Sequence, residues 1–358
     1  MEKNTLNEVD FVISNSAVYG LISQTEFFDK DIANSDNTNK YYVINKGDFV
    51  YNPRKSIYAP YGPINILEKY DKGIVSPLYT CFKIYDKYSI FLKWYFKTSK
   101  WHRYIYINGD QGARGDRVSI KENTFYKMYI YLPSKTEIDK IVLFLDLIQK
   151  KTDILKSKIN ILKKYKKGVF LDTRKCSRKI ALKTILSEVN IKTNYNNQYE
   201  ILSSTAIGLF SQKEYFKHQV ASENNVGYKV IKKGQLLFSP QNLWLGNINL
   251  NNDFEIGMVS PSYKIYDIDN TINSSWLISM LKSQNMLYKY KQISEQGASV
   301  VRRNLDLSQF LEITLDIPDN QIQIGIALET IDKKINALSN LLMNLKNLKM
   351  HLLNEMFI

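Results

Sequence analysis

The sequence offers little with which to do covalent chemistry. Two cysteines, Cys81 and Cys176, in 358 residues exclude a disulfide framework and point to a reducing compartment. Three histidines, His102, His218 and His351, stand alone, without the Cys or His neighbours that a metal site requires, so no metal is expected. No glycine-rich phosphate loop ending in Lys-Ser/Thr is present, which excludes a recognisable ATP-driven motor. Ser76-Pro77-Leu78-Tyr79 and Ser260-Pro261-Ser262-Tyr263 lack the second proline of an adenine-methyltransferase loop and read as turns leading into strands. No Gly-x-Gly motif follows a strand, and no carboxylate pair recurs along the chain. No catalytic residue and no cofactor are therefore expected. No apolar run approaches about 18 residues, so no membrane span is expected. The opening Met1-Glu2-Lys3-Asn4 lacks a signal-peptide core, and a cytoplasmic protein is the expectation.

What is present is charge, aromatics and repetition. Lys and Arg outnumber Asp and Glu by 49 to 35, a surplus of +14 that favours a polyanionic partner such as nucleic acid. Twenty-five tyrosines suit recognition surfaces or strands equally well.

The strongest signal is an ordered set of matches at long period. Gly20-Leu-Ile-Ser-Gln-Thr-Glu-Phe-Phe28 matches Gly208-Leu-Phe-Ser-Gln-Lys-Glu-Tyr-Phe216 at offset 188. Lys46-Gly47-Asp48-Phe49-Val50-Tyr51-Asn52-Pro53 matches Lys233-Gly234-Gln235-Leu236-Leu237-Phe238-Ser239-Pro240 at offset 187. Gly73-Ile74-Val75-Ser76-Pro77 matches Gly257-Met258-Val259-Ser260-Pro261 at offset 184. Gln111-Gly112-Ala113 and Pro133 match Gln296-Gly297-Ala298 and Pro318 at offset 185. Solenoid repeats run at about 20–50 residues, so this period means a duplicated domain.

Each copy ends in a helical pattern. Leu145, Ile148, Thr152, Leu155, Ile159, Leu162, Lys166 and Val169 alternate spacings of three and four, and adding 183 gives Leu328, Ile331, Ile335, Leu338, Leu342, Leu345, Lys349 and Leu352. That is the seam of a coiled coil. It spans about 37 Å at ~1.5 Å per residue. One helix cannot bury such a stripe alone. The two seams are expected to pack antiparallel on each other, with packing of each on its own domain as the alternative. A proline before each run suits a helix start, and Gly168 is expected to fray the first helix. The lysines of the polar faces, Lys150, Lys151, Lys156, Lys158, Lys163, Lys164, Lys333 and Lys334, read as a solvated face or as contacts to DNA or a partner.

The globular parts are expected to be α+β, with strands near 41–44, 48–52, 74–75, 82–85 and 129–132 and helices at 90–97 and 275–290. The architecture expected is two tandem α+β domains joined by two long antiparallel coiled-coil helices with pseudo-twofold symmetry. The division expected is domain 1 at 1–135, central helix 136–182, domain 2 at 183–318 and C-terminal helix 319–358.

Candidate ligand contacts are basic and amide residues on glycine- or proline-flanked loops. In the first copy these are Asn52, Arg54 and Lys55, then Gln111, Arg114 and Arg117; in the second, Gln241, Asn242 and Trp244, then Gln296, Arg302 and Arg303. Arginine reaches guanine edges or phosphate, and glycine lets backbone approach phosphate. The Gln-Gly-Ala loops read equally as structural turns. If functional, shared residues suit backbone contacts, while the unshared Arg54, Lys55, Gln241 and Asn242 suit base reading.

This ordered, duplicated set resembles the type I restriction-modification specificity subunit, over nearly the whole chain. The resemblance implies that each domain is a target-recognition domain reading one half of a split, asymmetric site on double-stranded DNA. It implies helices acting as a ruler for the gap, and docking of methyltransferase subunits, two of them, and of restriction/translocase subunits. A rod of ~37 Å is close to one turn of B-DNA, about 34 Å. The first copy begins almost directly at Val9-Asp10-Phe11, where members of that family carry a longer lead, whereas a leader at 183–200 precedes the second. Other readings of the residues are a stand-alone nuclease or methyltransferase, a coiled-coil scaffold, and a nucleic-acid binder outside restriction-modification, including one for RNA.

Overall fold

The computed structural model describes residues 1–27, 35–84, 88–110, 115–171, 176–215, 224–297 and 302–357. The chain forms two compact units. Unit 1 comprises Met1–Lys156 with Asn340–Ile358, and unit 2 comprises Ser157–Ser339.

Unit 1 carries strands β1 (Ile13–Ser16), β2 (Gly20–Ser23), β3 (Tyr42–Asn45), β4 (Phe49–Tyr51), β5 (Ile64–Ile66), β6 (Lys72–Val75) and β7 (Thr80–Phe82). Its helices are α1 (Gln24–Phe27), α2 (Ser89–Tyr95), α3 (His102–Asn108), α4 (Glu122–Phe125) and the start of α5 (Lys135–Leu171). β1–β2 is a hairpin, β3 pairs β6, and β5-β4-β7 form a sheet, all antiparallel. Successive strand side chains point to opposite faces, and β4 is buried on both. Phe49 and Tyr51 enter a core with Phe82, Trp101 and Phe125, while Val50 enters a second core with Ile13, Ile44 and Val75. The continuous apolar run Phe-Val-Tyr is the sequence form of such a strand.

Unit 2 repeats this plan. It contains β8 (Cys176–Ala181), β9 (Leu186–Val189), β10 (Leu202–Ser204), β11 (Leu209–Ser211), β12 (Lys229–Lys232), β13 (Leu236–Phe238), β14 (Ile248–Leu250), β15 (Ile256–Val259), β16 (Lys264–Ile268), β17 (Ser294–Gln296), β18 (Arg303–Leu305) and β19 (Thr314–Pro318). Its helices are α6 (Gln212–Tyr215), α7 (Ser274–Leu281), α8 (Gln284–Gln292), α9 (Leu307–Glu312) and the start of α10 (Gln321–Met356). The pairing of β12 with β15 and of β13 with β14 and β16 reproduces that of β3, β4 and their partners. Leu236 and Phe238 enter one core and Leu237 the other.

The repeated motifs turn out to be joints. Gly47 and Gly234 hold φ of 92° and 85° in the turns before β4 and β13, where only glycine is at ease. The next side chain closes each turn. Asp48 Oδ2 accepts from the Asn45 N–H, and Gln235 Oε1 from the Lys232 N–H, both at 2.8 Å. A Cβ on Gly73 would lie 2.4 Å from Ile13 Cδ1, and one on Gly257 2.4 Å from Leu202 Cδ1. The first hairpin of each unit lies directly on that glycine, which is why Gly opens both Gly-Φ-Val-Ser-Pro segments.

The seam positions Leu145, Ile148, Thr152, Leu155, Ile159, Leu328 and Ile331 are buried, and Leu162, Ile335, Leu338, Leu342 and Leu345 are half-buried. Within unit 1, Ile138, Ile141 and Leu145 of α5 share a core with Leu353 and Phe357, and Lys349 Nζ reaches Gln149 Oε1. Within unit 2, Lys166 Nζ lies 2.6 and 2.7 Å from the Asp332 carboxylate oxygens. In unit 1 the α5 number rises as the α10 number falls, so the two helices pack antiparallel there. α5 opens with a capping box: Glu137 Oε2 accepts from the Ser134 N–H at 2.9 Å, and Ser134 Oγ from the Glu137 N–H at 3.4 Å.

Four expectations are corrected. α5 continues through Gly168 to Leu171, since a single glycine costs a helix only about 1 kcal/mol. The helical segment does not extend to residue 182, because Cys176–Ala181 pairs with β19. The helix expected at 275–290 breaks, since the Ser283 side chain accepts from the Met286 N–H and starts α8 afresh. Residues 129–132 form no strand: no described strand lies beside them.

The Phe357 ring lies tilted at 5.1 Å from Phe91 and 6.1 Å from Tyr95, in the unit 1 core. Phe357→Ala is expected to destabilise unit 1 by about 3–5 kcal/mol. Amide exchange should show the loss in α2 and β4 and leave β13 unchanged.

Candidate nucleic-acid interface

The candidate loops meet in each unit. In unit 1 the loop after β4 and the segment before β5 flank a hairpin whose arms bridge Asp110 and Ser119, with N–H to O distances of 2.7 and 2.8 Å. Arg54 bridges Arg117, the Lys55 N–H donates to Asp116 O at 2.8 Å, and the Val118 N–H to Pro53 O at 2.9 Å. The buried Tyr51 hydroxyl stands 2.9 Å from the carbonyl oxygens of both Tyr61 and Val118, tying loop to hairpin. Burial pushes its pKa well above the usual tyrosine value. Two residues remote in sequence, Arg54 and Arg117, thus share one carboxylate, with Asp116 Oδ2 3.9 Å from each Nε. At 70% and 36% side-chain exposure, both stay open to a second anion. Exposed pairs at this distance are weak, so Asp116 holds neither arginine tightly.

In unit 2 the arrangement recurs. β17–β18 forms the hairpin, and its Arg303 N–H donates to Gln241 O at 3.1 Å. The offset between copies falls from 187 to 184 in the loop after β4, which is three residues longer than its counterpart. The extra length carries an exposed tip, Ile57 at 97% and Tyr58 at 77%. The shorter loop closes instead in a 3-10 turn, Leu243–Leu245, ended by Gly246 at φ 87°.

The predicted residues divide by what they already hold. Asn52 is structural: its Nδ2 donates to Asn15 O at 3.0 Å and its Oδ1 accepts from the Arg54 N–H at 3.0 Å. Asn242 is half-buried and turns the short loop, its carbonyl accepting from the Leu245 N–H. Trp244 packs against the core and takes the Arg303 guanidinium at 5.9 Å from its ring. Arg303 also donates from Nε to Ser294 Oγ at 2.9 Å and from a terminal nitrogen to Lys291 O at 3.2 Å, so it pins the hairpin to the end of α8. Lys55 is half-buried, while Arg54, Gln241, Gln296 and Arg302 are exposed. Gln111 and Arg114, with the rest of 111–114 and 298–301, lie outside the described residues.

Two groups went unread in the sequence. Beside the unit 1 loops, Tyr61 lies 5.0 Å from His102 and 6.3 Å from Tyr106, and α3 exposes Arg103, Tyr106 and Ile107. A duplicated polar chain bonds the first hairpin of each unit, β1–β2 and β10–β11. Lys97 Nζ reaches Asn65 Oδ1, and Asn65 Nδ2 donates to Asn15 Oδ1 and to Ser16 O. In unit 2 Lys282 Nζ lies 2.6 Å from Asn249 Oδ1, and Asn249 Nδ2 donates to Ser204 Oγ and Thr205 O, both at 2.7 Å. Burial pushes the Lys282 ammonium down to about 8, with Lys166 adding to the effect. Asn65 and Asn249 stand at offset 184 and the two lysines at offset 185, so the repeat itself was the signal. Among the described residues no cluster of His, Cys, Asp and Glu could hold a metal.

Comparison with solved structures returns type I restriction-modification proteins. The S subunit from M. genitalium superposes with a TM-score of 0.53 at 15% identity, over 91% of this chain and 87% of its own. The HsdS subunit from Thermoanaerobacter tengcongensis gives 0.42 at 13% identity, over 99% and 92%. A type I R-M structure concerned with complex assembly and conformational transition gives 0.45 at 12%, over 99% and 93%. No family model matches the sequence, and no curated protein matches it. The first of these likenesses carries one conclusion: the chain has the α+β fold of a type I S subunit.

Arg303→Ala is expected to lower the thermal midpoint, because it frees Ser294 and Lys291 O and removes the cation over Trp244. Surface substitutions free of such ties fall within about 0.5 kcal/mol, and Arg302→Ala is expected to behave so. Differential scanning calorimetry of the two variants separates them.

Proposed function

We propose that this chain is the DNA sequence-specificity subunit of a type I restriction-modification complex. Each unit serves as a target-recognition domain and reads one half of a bipartite, asymmetric site on double-stranded DNA. The observation that carries this reading is the duplicated loop-and-hairpin surface: one scaffold, built twice, with tips that differ in length and chemistry. The S-subunit fold and the +14 surplus support it.

Four parts of the chain take these roles: residues 1–135 and 183–318 as recognition domains, and 136–182 and 319–358 as spacer segments centred on α5 and α10. Arg54, Arg117 and Arg302 grip phosphate or guanine edges, and Gln241 and Gln296 offer amides to base edges. Asn52, Asn242, Trp244 and Arg303 shape the surface. Gln111 and Arg114, outside the described residues, remain proposed contacts. The chain supplies recognition and no catalysis, and acts in the cytoplasm. No described helix is long and apolar enough to cross a membrane.

Methyltransferase subunits, two of them, and restriction/translocase subunits are the proposed protein partners. The support lies on α5. In unit 1 its Leu143, Phe144, Leu147 and Ile154 are exposed by 44–62%, and in unit 2 its Ile161 and Tyr165 by 62% and 61%. These positions lie off the seam and leave an apolar stripe in water, the mark of a docking face. Leu147→Asp with Ile154→Asp is expected to abolish co-purification with the methyltransferase subunit while leaving the thermal midpoint of the free chain within about 2 °C.

For the DNA surface, Arg117→Ala and Arg302→Ala are each expected to weaken binding to all duplexes alike and to reduce the salt slope by about one unit. Unchanged slopes in both would exclude phosphate contact there. Methylome sequencing of a host deleted for the gene tests the whole reading: loss of one bipartite adenine-methylation motif is expected, and an unaltered methylome would overturn it.

A further inference from the structure

Between β4 and β5 the unit 1 chain folds into a tight turn. The Ser56 N–H donates to Ala59 O at 3.0 Å and the Ala59 N–H to Ser56 O at 3.1 Å, and Ser56 Oγ accepts from that same Ala59 N–H at 3.1 Å. Ile57 and Tyr58 are the two central residues. Such positions usually hold Gly, Pro, Asn, Asp or Ser. Here both side chains are large and lie in water, 97% and 77% exposed, while Ala59 beside them is buried. Neither residue has a positive φ, so the turn is unstrained and has no glycine to loosen it.

The base of the loop is fixed as firmly. The Asn52 N–H donates to Pro63 O and the Gly62 N–H to Ala59 O, both at 3.0 Å, and the Tyr51 hydroxyl donates to Tyr61 O at 2.9 Å. A Cβ on Gly62 would collide with Asn52 O. Single exposed hydrophobics are ordinary on a protein surface. Two in succession, held at the crown of a braced turn, are not scattered. At the equivalent loop of unit 2 the apolar residues turn inward: Leu243 is buried and Trp244 packs against the core.

Charge narrows the partner. Arg54 on this loop bridges Arg117, and the two guanidiniums face the single carboxylate of Asp116. A cationic surround favours a polyanion over an apolar protein face. Geometry narrows the site. Paired chain segments stand about 4.8 Å apart; with their side chains they fit the major groove of B-DNA, about 12 Å wide, and not the minor groove, about 6 Å. The one apolar group that base edges present in the major groove is the thymine C5-methyl.

We propose that the Ile57–Tyr58 turn enters the major groove and that Ile57 reads a thymine methyl in the half-site of unit 1. Unit 2, whose shorter loop keeps Leu243 and Trp244 inside, makes no such contact. The proposal rests on the reading of the chain as a specificity subunit and adds to it one base feature and the residue that reads it.

The test uses the full chain and duplexes carrying the bipartite motif that methylome sequencing returns, at one salt concentration. Each thymine is replaced singly by uracil, which removes the C5-methyl and nothing else. One replacement is expected to weaken binding about fourfold, the worth of one buried methyl group. That penalty should vanish in Ile57→Ala, which keeps its thermal midpoint because the side chain lies in water. It should persist in Leu245→Ala, which trims the shorter loop of unit 2. Replacements that all leave Kd unchanged, a penalty that survives in Ile57→Ala, or one that Leu245→Ala also removes, would overturn the proposal and leave the specificity-subunit reading standing. Equal binding of motif and scrambled duplexes by the unaltered chain would sink that reading, and the methyl contact with it.

Discussion

The unit 1 core takes side chains from two parts of the chain far apart in sequence. Phe91, Trp94 and Tyr95 meet Leu353 and Phe357 in one apolar cluster, so more than 250 residues separate groups that share one core. The cause is the seam. A stripe of Leu and Ile 25 residues long must be covered, and the chain holds one other stripe of the same register. Each unit therefore takes one half of α5 and one half of α10. Repeats in sequence are not units in space. Closing unit 1 means closing a loop of nearly the whole chain, and loop entropy grows only as the logarithm of length. The cost falls on folding rate more than on stability.

Polar residues within the seam give each unit its own solution to one problem. Lys166 and Lys349 occupy equivalent positions, and so do Asp332 and Gln149. In unit 2 the lysine has a carboxylate at 2.6 Å. In unit 1 it meets an amide and lies 4.2 Å over the face of Trp94, whose indole N–H donates to Asp146 at 2.9 Å. Burial, with Lys97 adding to it, lowers the Lys349 pKa to about 8, and Asp153 offsets part of the effect. A lone polar group in an apolar seam is a register device: sliding either helix by one turn would bury an unpartnered charge.

Periodicity and repetition were legible in the sequence, and side-chain commitments were not. The seam could be read because every turn of the helix repeats the same test of burial. The motifs could be read because Gly47, Gly73, Gly234 and Gly257 answer backbone demands that no other residue meets. The break at Ser283 could not, since a serine inside an apolar pattern looks like any exposed helix position until its hydroxyl is seen on the Met286 N–H. Residues 129–132 have strand composition, but a strand also needs a neighbour, and composition does not report one. Arg303 and Arg302 are indistinguishable as letters. Only the places of Ser294, Lys291 and Trp244 show that one is spent on the scaffold and the other is free.

That difference separates what the duplication preserves from what it varies. Several residues common to both copies are consumed inside: Gly73 and Gly257 under a hairpin, Asn65 and Asn249 on a hairpin backbone, Lys97 and Lys282 on those asparagines. The residues that differ sit at the tips: Arg54, Ile57 and Tyr58 on a long loop against Gln241 and Leu245 on a short one. A scaffold tied by buried hydrogen bonds tolerates such change, because loop length costs little and surface substitutions cost less. Two identical surfaces would read a symmetric ligand. Unit 1 presents an arginine with an apolar tip and unit 2 an amide beside a closed 3-10 turn, so the two units offer different chemistry at equivalent loops.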